Sequence, residues 1–169
     1  MADEIVTMPE VVRDRLDWVK WHLDTYLSSG GAKGHILDQT DVGGYNFSTT
    51  LILKTVGRKS GAVRMTPLIY GHYLGEVVIV ASKGGADVDP AWYLNILGTP
   101  EVEFQIATQA FRATWRSPEG AEREAVFAYM MGIFPPYREY RKVAKREIPL
   151  VMMKRVEEIP VFGLPASTS

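Results

Sequence analysis

The sequence contains no cysteine among its 169 residues. This absence excludes disulfides, thiol nucleophiles and cysteine-ligated metals, and it is compatible with a reducing compartment. The three histidines, His22, His35 and His72, lie in separate predicted elements without metal-ligand spacing, so no metal site is expected. Residues 1–10 lack the features of a secretory signal, and no apolar run approaches the roughly 20 residues needed to cross a bilayer. We therefore predict a cytoplasmic protein.

Acidic residues are also absent between Asp41 and Glu76, although the formal net charge of the chain is only -1. The cationic residues of this region are Lys54, Arg58, Lys59 and Arg64, and Lys83 follows a little further on. Positive charge is thus concentrated locally against the average of the chain, which indicates an anionic ligand. The near-zero net charge and the lack of a wider basic face with stacking aromatics argue against a nucleic-acid partner.

The centre of this basic region is a predicted turn between two strands. Gly57 and Gly61 bracket the turn, which carries Arg58, Lys59 and Ser60. Glycines let the backbone approach a ligand closely, and exposed N–H groups with guanidinium and ammonium donors suit phosphate or carboxylate oxygens. The spacing does not match a P-loop. The alternative interpretation is an ordinary solvated basic turn.

A second glycine-rich turn is followed by a predicted short helix. The apolar run VVIVA ends at SKGG, and Asp89 and Pro90 then fit the N-cap and first position of a helix over residues 91–97. A helix N-terminus adds partial positive charge and free N–H groups. Trp92 and Tyr93 lie in its first turn, where they could wall a planar ring system or simply belong to the core.

These two motifs carry a family resemblance. GRKSGAVRMTPL and VASKGGADVDPAWYLNI resemble the deazaflavin (F420)-dependent nitroreductase family, which includes quinone and nitroimidazole reductases. The resemblance covers residues 51–151 and implies an α+β fold, a small split antiparallel β-barrel of about six or seven strands with covering helices and an N-terminal helix. It implies a single domain, in which residues 1–44 form the N-terminal helix and a flexible joint and residues 45–160 form the cofactor-binding barrel.

The resemblance also implies which residues hold coenzyme F420. The basic turn would bind the phosphate and polyglutamate tail, and the following strand, the SKGG turn, the short helix and a later tyrosine would surround the deazaflavin. In this sequence the positions are Arg58, Lys59, Ser60, Arg64, Met65, Thr66, Pro67, Leu68, Ile69, Val80, Ala81, Ser82, Lys83, Ala91, Trp92, Tyr93, Leu94, Asn95 and Tyr137. The expected catalytic residues, which would orient the substrate or donate a proton, are Tyr137, Tyr140 and Ser82.

The implied activity is hydride transfer from reduced F420 to a quinone or an activated alkene such as an enone or a lactone, with nitro compounds as further candidates. The nitroimidazole-reducing relatives carry a third tyrosine where this sequence has Phe134 and a methionine where it has Ala91. Reduction of nitroimidazole prodrugs is therefore not expected of this protein. Two alternatives keep the fold. One binds FMN or haem instead, and the other is a non-catalytic protein that stores F420 or carries a lipid.

The remaining chain supplies the expected scaffold. Apolar side chains at helical spacing predict a helix over residues 9–28, and Trp18 and Trp21 on one side of it leave peripheral membrane contact open. Further elements are predicted as a strand hairpin over 101–106 and 110–116, a helix from 117 to about 132, a helix through 137–142 and a strand over 148–156. Exposed barrel edges favour a homodimer. The expected substrate is a small hydrophobic molecule.

Overall fold

The structure is a computed structural model that describes residues 4–6 and 15–163. Four α-helices lie in these ranges, namely α1 (Arg15–Ser28), α2 (Ala91–Ile96), α3 (Gly120–Ile133) and α4 (Pro136–Val143). The strands are β1 (Glu4–Val6), β2 (Lys33–Leu37), β3 (Ser48–Val56), β4 (Val63–Ile69), β5 (Gly71–Tyr73), β6 (Glu76–Val80), β7 (Glu101–Ile106), β8 (Gln109–Arg116) and β9 (Leu150–Ile159). Two short 3₁₀ turns cover Thr40–Val42 and Lys83–Gly85.

The strands form one curled sheet with a split. Its order is β1-β2-β3-β7-β8-β9-β6-β5, and β4 pairs only with β3. All pairs are antiparallel except the one between β1 and β2. No ladder joins β4 to β6 in the described part of the chain, so these two strands border the split. The predicted α+β split barrel is confirmed, and the short strands β1, β2 and β5 account for the larger number of strands.

Strand β3 shows why the barrel holds together. Leu51 and Leu53 point into the barrel core, where Ile79, Phe104 and Val151 are also fully buried. Ile52 alternates to the other face and packs against α1. Because both faces of β3 are covered, its sequence is a continuous apolar run rather than an alternating one. Helices α3 and α4 cover the outer face of β6 and β9 in the same way.

Residues 28–34, the glycine-rich first part of the predicted flexible joint, are arranged around a close contact with the barrel. A hydrogen-bonded turn follows α1, in which the Gly31 N–H donates to Tyr26 O at 2.9 Å. Strand β2 begins at Lys33 and pairs with β3. At Gly31 a Cβ atom would overlap the backbone of Ala107. This glycine therefore serves close packing between α1 and the barrel.

Two helices have N-cap residues other than those that the sequence predicted. Pro90, rather than Asp89, occupies the N-cap of α2, and α3 has Glu119 rather than Ser117 at its N-cap. The Asp89 carboxylate instead accepts a hydrogen bond from Arg146 Nη1 at 2.7 Å. This carboxylate is therefore engaged in an ion pair with a guanidinium rather than in capping α2.

Candidate active site

Two adjoining depressions lie along the split between β4 and the end of β6. The first, the basic groove, encloses about 420 Å³ and is lined by Thr55, Gly57, Arg58, Lys59, Ser60, Arg64, Met65, Thr66, Ala91, Trp92 and Asn95. The second, the aromatic chamber, encloses about 800 Å³. Its walls are β4, the end of β6, α1, α4 and the segment around residues 37–42. Thr66 and Trp92 line both spaces, so groove and chamber form one continuous site.

The unpaired edge of β4 runs along this site. Tyr70 N–H donates to Thr49 O on β3, and backbone groups alternate in direction along an antiparallel strand. The backbone N–H and C=O groups of every second residue therefore face β3, and those between them face the split. The residues whose polar backbone groups face the split are Met65, Pro67 and Ile69. A proline fits such an edge position because it has no N–H to offer a ladder.

Three cations of the basic groove are unneutralised. Arg58, Lys59 and Arg64 are exposed and form no ion pair with the described residues. Lys54, which the sequence placed in the same cationic field, instead pairs with Glu103 at 3.4 Å. Its neighbour on β3, Thr55, lines the groove. Successive strand residues point to opposite faces, so Lys54 is directed away from the site.

The basic turn is fixed to helix α2 by one amide. Asn95 Oδ1 accepts hydrogen bonds from the backbone N–H of Arg58 at 3.1 Å and from its Nη1 at 3.2 Å. Asn95 Nδ2 donates to Thr55 Oγ1 at 3.3 Å. Within the turn, Gly57 and Gly61 are joined by a 2.8 Å backbone hydrogen bond. Asn95 therefore orients the Arg58 guanidinium in addition to lining the groove.

The aromatic chamber is named for the wall formed by Phe134 at the end of α3 and two tyrosines of α4. Phe134 and Tyr137 rings lie 5.0 Å apart and those of Tyr137 and Tyr140 lie 6.3 Å apart. Burial, with a smaller contribution from Tyr140, raises the pKa of the Tyr137 phenol. The Tyr137 hydroxyl therefore stays protonated at neutral pH and remains a hydrogen-bond donor. No residue in the described ranges accepts that hydrogen bond.

The chamber is closed at the end of β6 by the SKGG loop, which we define as residues 81–89. Ser82, Lys83 and Gly84 line the chamber. A Cβ atom on Gly85 would lie 3.1 Å from Tyr140 Cα, so the loop rests directly on α4. Ser82 is buried, whereas Lys83 is exposed, and both add polar groups to the lining of the chamber.

Helix α1 supplies a wall that the sequence analysis missed. Trp18, Val19 and His22 line the chamber, and the Trp18 and His22 rings stack at 5.9 Å. Their spacing of one helical turn was the available signal, but nothing local shows which partner that face meets. Trp18 therefore faces inward. Trp21 is half-buried, and peripheral membrane contact stays a prediction. No helix in residues 15–163 is long and apolar enough to span a bilayer.

We expect His22 to make stability depend on pH. His22 is buried, and its Nε2–H donates to Gly34 O at 2.8 Å. Burial lowers the pKa of this imidazole, although the Gly34 hydrogen bond opposes the shift. The folded protein thus favours neutral His22, and stability should fall as pH decreases through the ordinary histidine pKa of about 6.5. Urea unfolding at pH 7.5 and 5.5 measures this loss.

The control for that prediction is His72, whose pKa is also lowered, by burial and by Arg155. His22→Gln should reduce the loss of stability between pH 7.5 and 5.5, and His72→Gln should reduce it less because His72 is exposed. If the His22 variant loses as much stability on acidification as the wild type, protonation of His22 is not the cause.

Most predicted site residues line the groove or the chamber. Those on the chamber are Thr66, Pro67, Leu68, Ile69, Val80, Ser82, Lys83, Trp92, Tyr137 and Tyr140. Ala81, Tyr93 and Leu94 line neither space. Ala81 is fully buried, and Tyr93 packs edge-on to Trp115. Neighbouring helix residues point in different directions, so α2 presents Ala91, Trp92 and Asn95 to the groove and turns the two residues between them away.

The fold defines a split-barrel protein with a cationic groove that opens into an aromatic chamber. A family model described as F420H(2)-dependent quinone reductase matches residues 18–155. The chain belongs to this family. It is therefore an oxidoreductase whose cofactor is reduced coenzyme F420.

Individual relatives agree with this assignment. An F420H(2)-dependent quinone reductase of Mycobacterium tuberculosis is 31% identical over 142 residues, which cover 81% of this chain and 89% of the relative. The solved structure of the F420-H2 dependent reductase FDR-A is 35% identical with a TM-score of 0.57, covering 62% of this chain and 93% of that one. Another structure, described as a domain-swapped dimer, is 31% identical with a TM-score of 0.59. The match covers 83% of this chain and 100% of that one. The predicted family, fold, enzyme class and cofactor are confirmed.

The residues present fit this coenzyme. Its tail is polyanionic, and the basic groove offers three unneutralised cations and no acidic lining residue among those described. Its ring is flat with polar edges, and the chamber offers the open backbone edge of β4 between aromatic walls. Guanidinium groups can hold phosphate or carboxylate oxygens in pairs of hydrogen bonds.

Proposed function

We propose that this protein reduces quinones, with the tail of reduced F420 in the basic groove and its ring in the aromatic chamber. The observation that carries this proposal is the continuity of the two spaces through Thr66 and Trp92. A single ligand with an anionic tail and a flat ring can then occupy both spaces. Reduced F420 supplies a hydride, and the protein supplies the position and the electrostatic environment of the transfer.

The cations act on the tail. Arg58, held by Asn95, and Arg64 bind phosphate or carboxylate oxygens, and Lys59 adds a compact charge beside them. Because these side chains are exposed, their attraction extends into solvent and is reduced by salt. Lys83 places a further cation at the chamber. The ring makes few ionic contacts of its own, so the free energy of binding the tail helps to hold the ring in position.

The walls of the chamber orient the ring and the substrate. Backbone groups of Pro67 and Ile69 on the open edge of β4, with Met65 beside them in the groove, would hold the polar edge of the ring, and Trp92 and Tyr137 would cover its apolar surface. The remaining space between α1 and α4 takes the quinone. Enclosure by these side chains excludes water from the reacting atoms.

Hydride addition to a quinone places negative charge on its oxygen, and hydroxyl donors in the chamber stabilise that charge. The candidates are Tyr137, which remains protonated, Tyr140 and Ser82. The final proton comes from a tyrosine hydroxyl or from water. Enones and unsaturated lactones develop the same charge on a carbonyl oxygen, so we propose them as further substrates. Phe134 lacks a hydroxyl at the same wall, which disfavours nitroimidazole compounds.

We predict that Tyr137→Phe and Tyr140→Phe each lower kcat/KM for a naphthoquinone by about tenfold, because one of several alternative donors is lost. The affinity for F420 should change little, since the ring contacts are kept. Oxidation of reduced F420 followed by absorbance gives the rate, and fluorescence titration gives the affinity. Ser82→Ala is the matched comparison. If all three variants stay within twofold of the wild type, no side-chain hydroxyl takes part.

The proposal as a whole is tested with purified protein, reduced F420 and a panel of quinones, enones, lactones and nitro compounds. Turnover of at least one quinone is expected. Tight F420 binding without turnover would support a storage protein, and FMN or haem extracted from the purified protein would support the corresponding alternative. One relative is described as a domain-swapped dimer, so we also propose a homodimer, which light scattering after gel filtration measures.

A further inference from the structure

One largely buried guanidinium, that of Arg146, binds the SKGG loop on the side away from the chamber. Arg146 Nε donates to Ala86 O at 2.9 Å, and its Nη1 donates to Asp89 Oδ1 at 2.7 Å. Its Nη2 donates to the carbonyl oxygens of Ala81 at 3.2 Å and Ser82 at 3.0 Å. Only 14% of the Arg146 side chain is exposed. A single residue, distant in sequence, thus bonds to four residues of the loop.

The loop needs such support because its backbone is strained at one residue. Lys83 lies in the left-handed region with φ of 46°, and Gly84 and Gly85 follow it there, at 64° and 84°, without the steric cost of a side chain. A side chain in this region costs about 1 kcal/mol, and such conformations persist where surrounding contacts fix them. The segment before β9 provides these contacts, since Lys145 N–H also donates to Asp87 Oδ1 at 3.0 Å.

The contacts of Arg146 lie behind the chamber wall. Arg146 lines neither the groove nor the chamber, whereas Ser82 and Lys83 line the chamber. Asp89 pairs with the guanidinium, so Arg146 adds little net charge to the site. Its effect on a ligand is therefore exerted through the position of the loop. Lysine could not replace it, because an ammonium group lacks the planar fork that reaches several carbonyls at once.

We propose that Arg146 is a positioning residue for the coenzyme. By holding the carbonyl groups of Ala81 and Ser82, it keeps the SKGG loop in the one conformation that shapes the chamber for the F420 ring. Without it the loop relaxes out of the left-handed conformation, and only a fraction of molecules can bind. This inference rests on the proposed function, in which the ring occupies the chamber.

The test compares Arg146→Lys with Arg123→Lys. Arg123 is a matched control because its side chain is about as little exposed and donates to a backbone carbonyl, that of Ile148, at 2.6 Å, but it lines neither space. Both variants should have a lower Tm. Only Arg146→Lys should raise the Kd for F420, by about tenfold if one molecule in ten keeps the binding conformation. At saturating coenzyme its kcat should stay near that of the wild type.

Hydrogen exchange gives a second measurement that does not depend on catalysis. The amides of Gly85 and Ala86 donate to Ser82 O and Lys83 O within the loop, and they should exchange faster in Arg146→Lys but not in Arg123→Lys. If Arg146→Lys does not fold, Asp89→Asn removes the charged partner at the same size and should raise the Kd by about threefold.

Unchanged F420 affinity in the folded Arg146 variant, with the same loss of Tm as Arg123→Lys, overturns the inference. Unchanged affinity in Asp89→Asn overturns it in the same way if the first variant does not fold. Wild-type protein that fails to bind F420 overturns the proposed function instead. The first titration, on the wild type alone, separates these two failures.

Discussion

Replacing Arg58 and Arg64 together by alanine should raise the Kd for F420 by about a hundredfold. Each guanidinium offers a charge-assisted hydrogen bond to an anionic tail, and exposure to solvent reduces each contribution to about 1.4 kcal/mol, or tenfold. Arg58 lies in the basic turn and Arg64 lies on β4 after it, so the two losses of affinity should add. The expected effect is confined to binding, because neither side chain reaches the hydroxyl groups of the chamber.

Fluorescence titration at low and moderate salt measures this effect. The wild-type affinity should weaken as salt rises, and the double variant should show a smaller dependence because two ionic contacts are gone. The control is Lys154→Ala with Arg155→Ala, which removes the same net charge from exposed β9 residues that form no ion pair within the described chain. That variant should stay within about twofold of the wild type because these charges lie outside the groove.

Equal losses of affinity in the two double variants would mean that overall charge attracts the coenzyme and that the basic groove is not its tail site. An unchanged Kd in the groove variant would contradict the proposed orientation altogether. A loss in kcat without a change in Kd would place the arginines at the reacting atoms. These outcomes are separable because affinity and turnover are measured independently.

The parts of the site predicted from sequence are those set by short-range patterns. Glycines at fixed offsets predicted both turns, and their basic or polar residues indeed line the groove and the chamber. Alternation along β3 could also have separated Lys54 from Thr55, since adjacent strand residues face opposite sides. Helical direction could likewise have removed Tyr93 and Leu94 from the expected site.

The parts that were missed depend on contacts between distant segments. Asn95 meets Arg58 across 37 residues, and Arg146 meets Ala81 across 65. Neither pair leaves a local pattern, because one polar side chain on one element and a carbonyl on another have no periodicity. The α1 wall was missed for the same reason. Its position follows from the pairing of β2 with β3, which places the preceding helix over the chamber.

Gly31→Ala should destabilise the protein by about 3 kcal/mol or more, the largest single-residue effect we expect on stability. Gly31 has φ of 86°, which an alanine adopts only with strain. Its Cβ would also overlap the carbonyl oxygen of Ala107 in the turn between β7 and β8. The two nearest atoms belong to the Ala107 backbone, which cannot move aside as the end of a flexible side chain could. Urea unfolding monitored by tryptophan fluorescence measures the loss.

Gly30→Ala is the matched control, because Gly30 is left-handed with φ of 62° but has no atom within 4 Å of an added Cβ. It should lose only about 1 kcal/mol, the cost of the left-handed conformation. The difference in unfolding free energy between the two variants therefore measures the cost of the contact between residue 31 and the Ala107 backbone. Equal losses at the two positions would mean that the turn after α1 moves freely and is the flexible joint that its composition suggested.

The same pair of variants tests whether α1 belongs to the active site. Tyr26 fixes the end of this helix to the barrel, since its hydroxyl donates to Thr50 O at 2.9 Å and accepts from Ala107 N–H at 2.7 Å. Displacing Gly31 from Ala107 should pull that end away and open the wall formed by Trp18 and His22. Folded Gly31→Ala protein should then show a raised KM for quinone with little change in the Kd for F420, because the basic groove contains no residue of α1. Loss of both affinities together would place the helix over the coenzyme as well as over the substrate.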